Sequence, residues 1–220
     1  MIFINKFKRI LISVYLSVFN ILAATVLILN CSFIYKLAIN IFNIDKSTNI
    51  SKEQLYIEYC RIIGFINNPK ISDLSFDQFT ISDNAVYHFA EVRKIFINIY
   101  FFIIVTAILF ISLILYNILK KSQEYKSIIK LSFVINVTIT ILISLLSMFD
   151  FSDAFEYFHK IVFTNDYWLF DTIKDSIILA LPEEFFLMCT AGILIVSVVI
   201  AILEVIMSNL LKSKSVKLVK

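Results

Sequence analysis

Four apolar runs, each long enough to cross a bilayer, confine this chain to a small set of folds. A helix needs roughly 17–25 mostly apolar residues to span ~30 Å of hydrocarbon, and residues 10–34, 95–119, 131–148 and 185–206 meet that need. Backbone N–H and C=O groups cannot stay unpaired in lipid, so runs of this kind are helices. The expected fold is an all-α integral membrane protein. It has four transmembrane helices and a small extracytoplasmic cap built from the two outer loops, residues 35–94 and 149–184. The first run is too long for the core of a cleaved signal peptide. Cys31 has Asn30 before it, where a lipoprotein cleavage site needs a small residue.

Charge sets the expected orientation, because Lys and Arg accumulate in short cytoplasmic flanks. The flanks carry Lys6, Lys8 and Arg9; then Lys120, Lys121, Lys126 and Lys130 in and beside the short 120–130 loop; then Lys212, Lys214, Lys217 and Lys220 in the 207–220 tail. Against these eleven basic residues stand Glu124 and, at the end of the fourth span, Glu204. The other two loops hold nearly all the remaining Asp and Glu. Both termini and the tail are therefore expected in the cytoplasm, with the cap outside. The net charge of +3 follows from this topology and gives no support to nucleic-acid binding.

The first outer loop reads as a small folded cap. Ser51 and Gln54 form a capping box, and Leu55, Tyr59, Ile62, Ile63 and Ile66 make one apolar helix face ending at Asn67-Asn68-Pro69. Leu74, Phe76, Phe79 and Ile81 alternate with polar residues, the pattern of a short hairpin. Ser82 or Asp83 caps a helix that carries His88 into the second span. In the second outer loop Asp150 and Asp153 suit a first helical turn, and Phe151, Phe155, Phe158 and Val162 form a stripe. Asn165-Asp166 ends that helix, Tyr167 and Trp168 suit the headgroup level, and Pro182-Glu183-Glu184 begins the fourth span.

Chemistry is confined by what the chain lacks. Two glycines and two prolines leave no phosphate loop, dinucleotide fingerprint or nucleophile elbow. Cys31 and Cys189 lie in apolar runs and Cys60 in the cap, so there is no disulfide framework. The two histidines, His88 and His159, both fall in the outer loops. Imidazole exchanges protons near neutral pH. His159 has Glu156 at i−3, and His88 has Glu91 at i+3 and Asn84 at i−4, so either ring could be oriented by a carboxylate. Taken singly, either histidine would more often be a packed or interfacial residue; two on the same outer face, in a chain with no others, bring the two readings level. The absence of H-E-x-x-H or any comparable pair argues against a metal site.

A specific resemblance rests on the second outer loop. Asp153-Ala154-Phe155, Phe158-His159, Phe163, Asn165, Trp168, Phe170-Asp171, Asp175, Ile177-Ile178, Leu181-Pro182 and Phe185-Phe186 resemble the signature of the Lit family. Phe79, Ser82 and His88-Phe89-Ala90-Glu91-Val92 resemble its second histidine motif. Thr172 stands where the pattern has Pro, and Glu91 where it has Asp. The resemblance implies a lipoprotein intramolecular transacylase that moves an sn-2 acyl chain from the diacylglyceryl group to the α-amino group of the lipoprotein's N-terminal Cys. It implies His159 and His88 as catalytic, with Glu91, Glu156, Asp153, Asn165, Trp168, Asp171 and Asp175 in support. No cofactor or metal is expected, and the partners are a diacylglyceryl lipoprotein and membrane lipids. The alternative is a non-catalytic membrane protein whose cap binds a lipoprotein or another partner.

Overall fold

The computed structural model describes residues 6–120 and 122–217, with side chains as far as Leu210. Lys121 and the tail side chains Lys212, Lys214, Lys217 and Lys220 lie outside the described residues. The described regular elements are all helical: α1 (Lys6–Asn30), α2 (Ser32–Ile41), α3 (Ile44–Thr48), α4 (Lys52–Asn67), α5 (Asp83–Leu119), α6 (Glu124–Phe149), α7 (Phe151–Val162), a 3-10 turn (Ser176–Ala180) and α8 (Glu183–Lys217).

Four of these helices, α1, α5, α6 and α8, are long and apolar enough to cross a membrane. Their exposed faces carry side chains that only hydrocarbon suits: Phe101, Ile104 and Ile108 on α5 and Ile195 on α8 are each 59–70% exposed. At 1.5 Å per residue the 37 residues of α5 extend roughly 55 Å, well beyond a ~30 Å core. Its first turns, with Asp83, Glu91, Arg93 and Lys94, therefore stand clear of the apolar run.

The chain divides into two compact units. The span unit holds Met1–Thr25, Tyr100–Leu145 and Gly192–Lys220. Leu16, Tyr125 and Ile129 form its buried core, packed by Phe19, Phe110, Ile114 and Val205, so that all four long helices contribute. Lipid-solvated helices gain little from burying apolar surface against one another, so small and hydrogen-bonding residues join them. Ser13, Ser17 and Asn20 lie on one face of α1, all fully buried. Ser13 Oγ donates to the Ile128 carbonyl, and Asn20 Nδ2 donates to Glu204 at 3.0 Å.

The cap unit holds Val26–Ile99 and Leu146–Ala191. The run read as one helix through residue 34 is two, broken at Cys31. No Gly or Pro marks the break. At the break Tyr59 Oη donates to the freed Leu29 carbonyl, and Asn67 Nδ2 donates to the Asn30 side chain. The capping box of Ser51 and Gln54 forms, and α4 buries Leu55, Tyr59, Ile62, Phe65 and Ile66. Ile63 is only half-buried, and Phe65 takes the place expected for it in the buried face. Full burial of each large side chain is worth about 1.5–3 kcal/mol. Tyr35 stacks on Tyr59 with centroids 4.2 Å apart, Phe185 meets both edge-on, and Tyr35 Oη donates to the Ala180 carbonyl.

The hairpin expected at Leu74, Phe76, Phe79 and Ile81 is an irregular loop. Glu58, 1% exposed, explains it: one carboxylate oxygen accepts from Asp77 N and Gln78 N, both at 2.8 Å. Arg61 pairs with Glu58 and Asp77. Backbone donors that a partner strand would have used are thus taken by a buried charge, which itself requires such partners.

Candidate active site

Both histidines are in the cap unit, on elements whose starts are tied down locally. Ser82 Oγ accepts from Ala85 N at the beginning of α5, and Asp175 accepts from Ser82 N at 2.7 Å. Asp171 accepts from Ile173 N and Lys174 N, which holds its carboxyl below the usual carboxylate range. Asp171 N also donates to Asp175, and the hydroxyls of Thr80 and Ser176 meet at 3.0 Å. Asp150 accepts from Asp153 N and starts α7, whose last turn carries His159.

The two imidazoles come together, with centroids 6.0 Å apart, and they are 7% (His88) and 8% (His159) exposed. Phe163 lies against both, at 4.6 Å from His88 and 5.7 Å from His159. Trp168 stacks on His159 at 4.9 Å, Phe155 packs on it at 4.2 Å, and Phe170 closes on His88 at 5.7 Å. This aromatic cage removes water from both rings. Burial lowers the pKa of His88 to about 4, with the charge of His159 adding to the effect. Burial also lowers the pKa of His159, opposed in part by its bond to a carbonyl. Both imidazoles are therefore neutral at pH 7, and a proton on one disfavours a proton on the other.

The orienting groups differ from those that spacing suggested. His159 Nδ1 lies 2.7 Å from the Phe155 carbonyl oxygen, and a carbonyl can only accept. Nδ1 therefore carries the hydrogen, and Nε2 holds the free lone pair. Glu156 is turned to Lys160 on the exposed face of α7 and takes no part in orienting His159. Glu91 is bound to Asn165, whose Nδ2 donates to both carboxylate oxygens at 3.0 and 3.1 Å. Asn165 Oδ1 accepts from Tyr167 N, which bends the chain after α7 towards Trp168. Buried His88 Nδ1 has no hydrogen-bond partner, so Glu91 does not orient it in this structure. Trp168 Nε1 is likewise buried with no acceptor. Asp153 is exposed, at the start of α7.

Sequence reasoning missed the Phe155 carbonyl, which has no signature because every residue carries one. It also missed Glu58 and Tyr35, whose partners are distant in sequence. Among the described residues no group of three or more His, Cys, Asp or Glu side chains is placed to hold a metal.

These features define an all-helical integral membrane protein with a paired-imidazole site in an aromatic cage. A family model described as the lipoprotein intramolecular transacylase Lit matches residues 10–186, and the chain belongs to that family. It is accordingly an acyltransferase, a lipoprotein intramolecular transacylase. One solved structure of the membrane integral lipoprotein intramolecular transacylase Lit from Bacillus cereus is 29% identical, covering 94% of this chain and 96% of its own, with a TM-score of 0.83. A variant of that protein with a histidine replaced by arginine matches at 27% identity, 94% and 92% coverage and a TM-score of 0.80. Another with alanine at the same histidine matches at 27%, 94% and 93%, and 0.79. Comparison with curated protein sequences gives no match.

Proposed function

We propose that His159 is the base of an O-to-N acyl transfer within a diacylglyceryl lipoprotein, and that His88 assists at the same carbonyl. The observation that carries this is the bond from His159 Nδ1 to the Phe155 carbonyl, beside a second neutral imidazole 6.0 Å away. That bond leaves Nε2 free to accept a proton and stabilises the imidazolium that results. His88 lacks such an acceptor, which favours His159 for the charged role and His88 as a neutral hydrogen-bond donor.

Nucleophile and electrophile arrive in one molecule, so positioning can supply about 7–11 kcal/mol without an enzyme nucleophile. The α-amino nitrogen, with a pKa near 7.7–8.0, attacks the sn-2 ester carbonyl. The new C–N bond forms as His159 Nε2 takes the amine proton, and His88 donates a hydrogen bond to the oxyanion. The C–O bond then breaks, and the proton on His159 passes to the glyceryl oxygen. The products are an amide and a free hydroxyl, a lyso-form lipoprotein. Glu91 and Asn165 brace the segment that carries Trp168, while Asp171 and Asp175 brace the start of α5. The basic flanks support an orientation with both termini cytoplasmic and this site on the outer face of the cell membrane, where lipoprotein acyl chains enter from the bilayer.

Expression of the protein in a strain without lyso-lipoprotein tests the assignment by mass spectrometry of a lipoprotein N-terminal peptide. The wild type should produce the N-acylated lyso form. His159→Ala should reduce it by about 10²–10⁴-fold at normal membrane abundance, the contribution of a positioned base. Near-wild-type product from His159→Ala would overturn the role.

A further inference from the structure

In the span unit, a cavity of about 610 Å³ lies among α1, the start of α6 and α8. Its polar lining is Arg9, Gln123, Lys126, Ser127, Lys130 and Asn209. Leu131 and Val134 continue the wall along α6. Three cations line it and, among the described residues, no carboxylate does.

Two of the three cations are partly enclosed by the protein. Arg9 Nη1 donates to Ser127 Oγ at 3.1 Å, while its Nε is buried and meets no protein acceptor. The Ser13 bond to the Ile128 carbonyl fixes α1 against α6 at this level. Lys126 is only 9% exposed, with Nζ 5.8 Å from the centroid of the Tyr125 ring, whereas Lys130 is exposed at the rim. The positive end of the 26-residue α6 lies at the same level, with Glu124 in its first turn. On the other side Val134 is 56% exposed on a membrane-length helix, so the cavity opens towards hydrocarbon.

The geometry points to a binding site for an anionic glycerophospholipid, with its phosphate between Arg9 and Lys130, the charge of Lys126 behind them, and its first methylenes against Leu131 and Val134. An inorganic anion would use the cations alone and leave the apolar wall wet. The wall is what commits the cavity to a lipid. Neither histidine belongs to this unit, so the site is separate from acyl transfer, and it serves whichever leaflet this end of the bundle meets.

Purified, delipidated full-length protein tests this by thermal unfolding and native mass spectrometry with added phosphatidylglycerol, phosphatidylcholine or inorganic phosphate. Phosphatidylglycerol should raise the melting temperature and stay bound, and the other two should not. Each cation near an anionic headgroup is worth about fivefold in affinity. The exposed Lys130→Gln should thus weaken phosphatidylglycerol binding roughly fivefold, and adding Arg9→Gln should weaken it further. Lys70→Gln in the cap should change nothing. Equal binding of phosphatidylcholine, unchanged affinity in Lys130→Gln, or displacement of the lipid by millimolar phosphate would each overturn the proposal, the last by making it a free-anion site.

Discussion

The pair Glu91–Asn165 offers a quantitative test of how the site is braced. Asn165 Nδ2 reaches both Glu91 oxygens, at 3.0 and 3.1 Å, while Asn165 Oδ1 holds Tyr167 N. A hydrogen bond to a charged group contributes about 1.5–3 kcal/mol, and both side chains here are half-buried, so the lower end applies. If Glu91 acts through Asn165, the single variants Glu91→Ala and Asn165→Ala should each destabilise the protein, and the double variant should be little worse than either. SDS titration in mixed micelles should then give a coupling energy of about 1–2 kcal/mol, and the lyso-lipoprotein assay should show matching losses in all three variants. The reasoning fails if the effects add independently. It fails more specifically if Glu91→Ala still abolishes activity in the Asn165→Ala background, since Glu91 would then act on His88 by a route that bypasses Asn165.

Trp168→Phe keeps the ring stacked on His159 but removes a buried N–H that has no acceptor in the protein. If that donor serves the substrate, Phe should be nearly as inactive as Ala; if only stacking matters, worth about 0.5–1.5 kcal/mol, Phe should restore most activity. His88 resists protonation in the folded state, so below its ordinary 6.5 the unfolded chain binds the extra proton. Stability should therefore fall as pH drops from about 6.5 to about 4, and His88→Gln should reduce that pH dependence, leaving the share that buried His159 contributes; an unchanged slope would refute the burial argument. Cys60 is exposed in the cap and should react with an impermeant maleimide added to intact cells. Labelling only after lysis would reverse the proposed orientation.

The spans could be read from sequence because lipid leaves the backbone so few options, and the Ser51 and Ser82 caps because capping is local; Asp150, expected inside the first turn of its helix, is instead the residue that caps it. What could not be read was set by partners far along the chain. The break at Cys31 depends on Tyr59 and Asn67, and the loop at Leu74–Ile81 depends on Glu58. Spacing placed Glu91 and Glu156 one turn from the histidines correctly, yet a side chain at i±3 can also reach a third residue. Lys160 claimed one carboxylate and Asn165 the other. The motif around His159 held the cage aromatics Phe155, Phe163, Trp168 and Phe170 in full, because rings that must exclude water from one small volume cluster near it in sequence.

His88 rides on the same unbroken helix that crosses the membrane, seven residues before the apolar run begins at Ile95. At 1.5 Å per residue that places it about 10 Å along the axis from the hydrocarbon edge. A lipid ester normally rests close to that edge, so in the reaction proposed above the carbonyl would be lifted out of its leaflet to meet the imidazoles. The helix acts as a ruler for that lift. Bilayer thickness and helix tilt, which change the height of the edge against a rigid rod, should therefore tune the enzyme's access to its substrate without altering a single contact in the site.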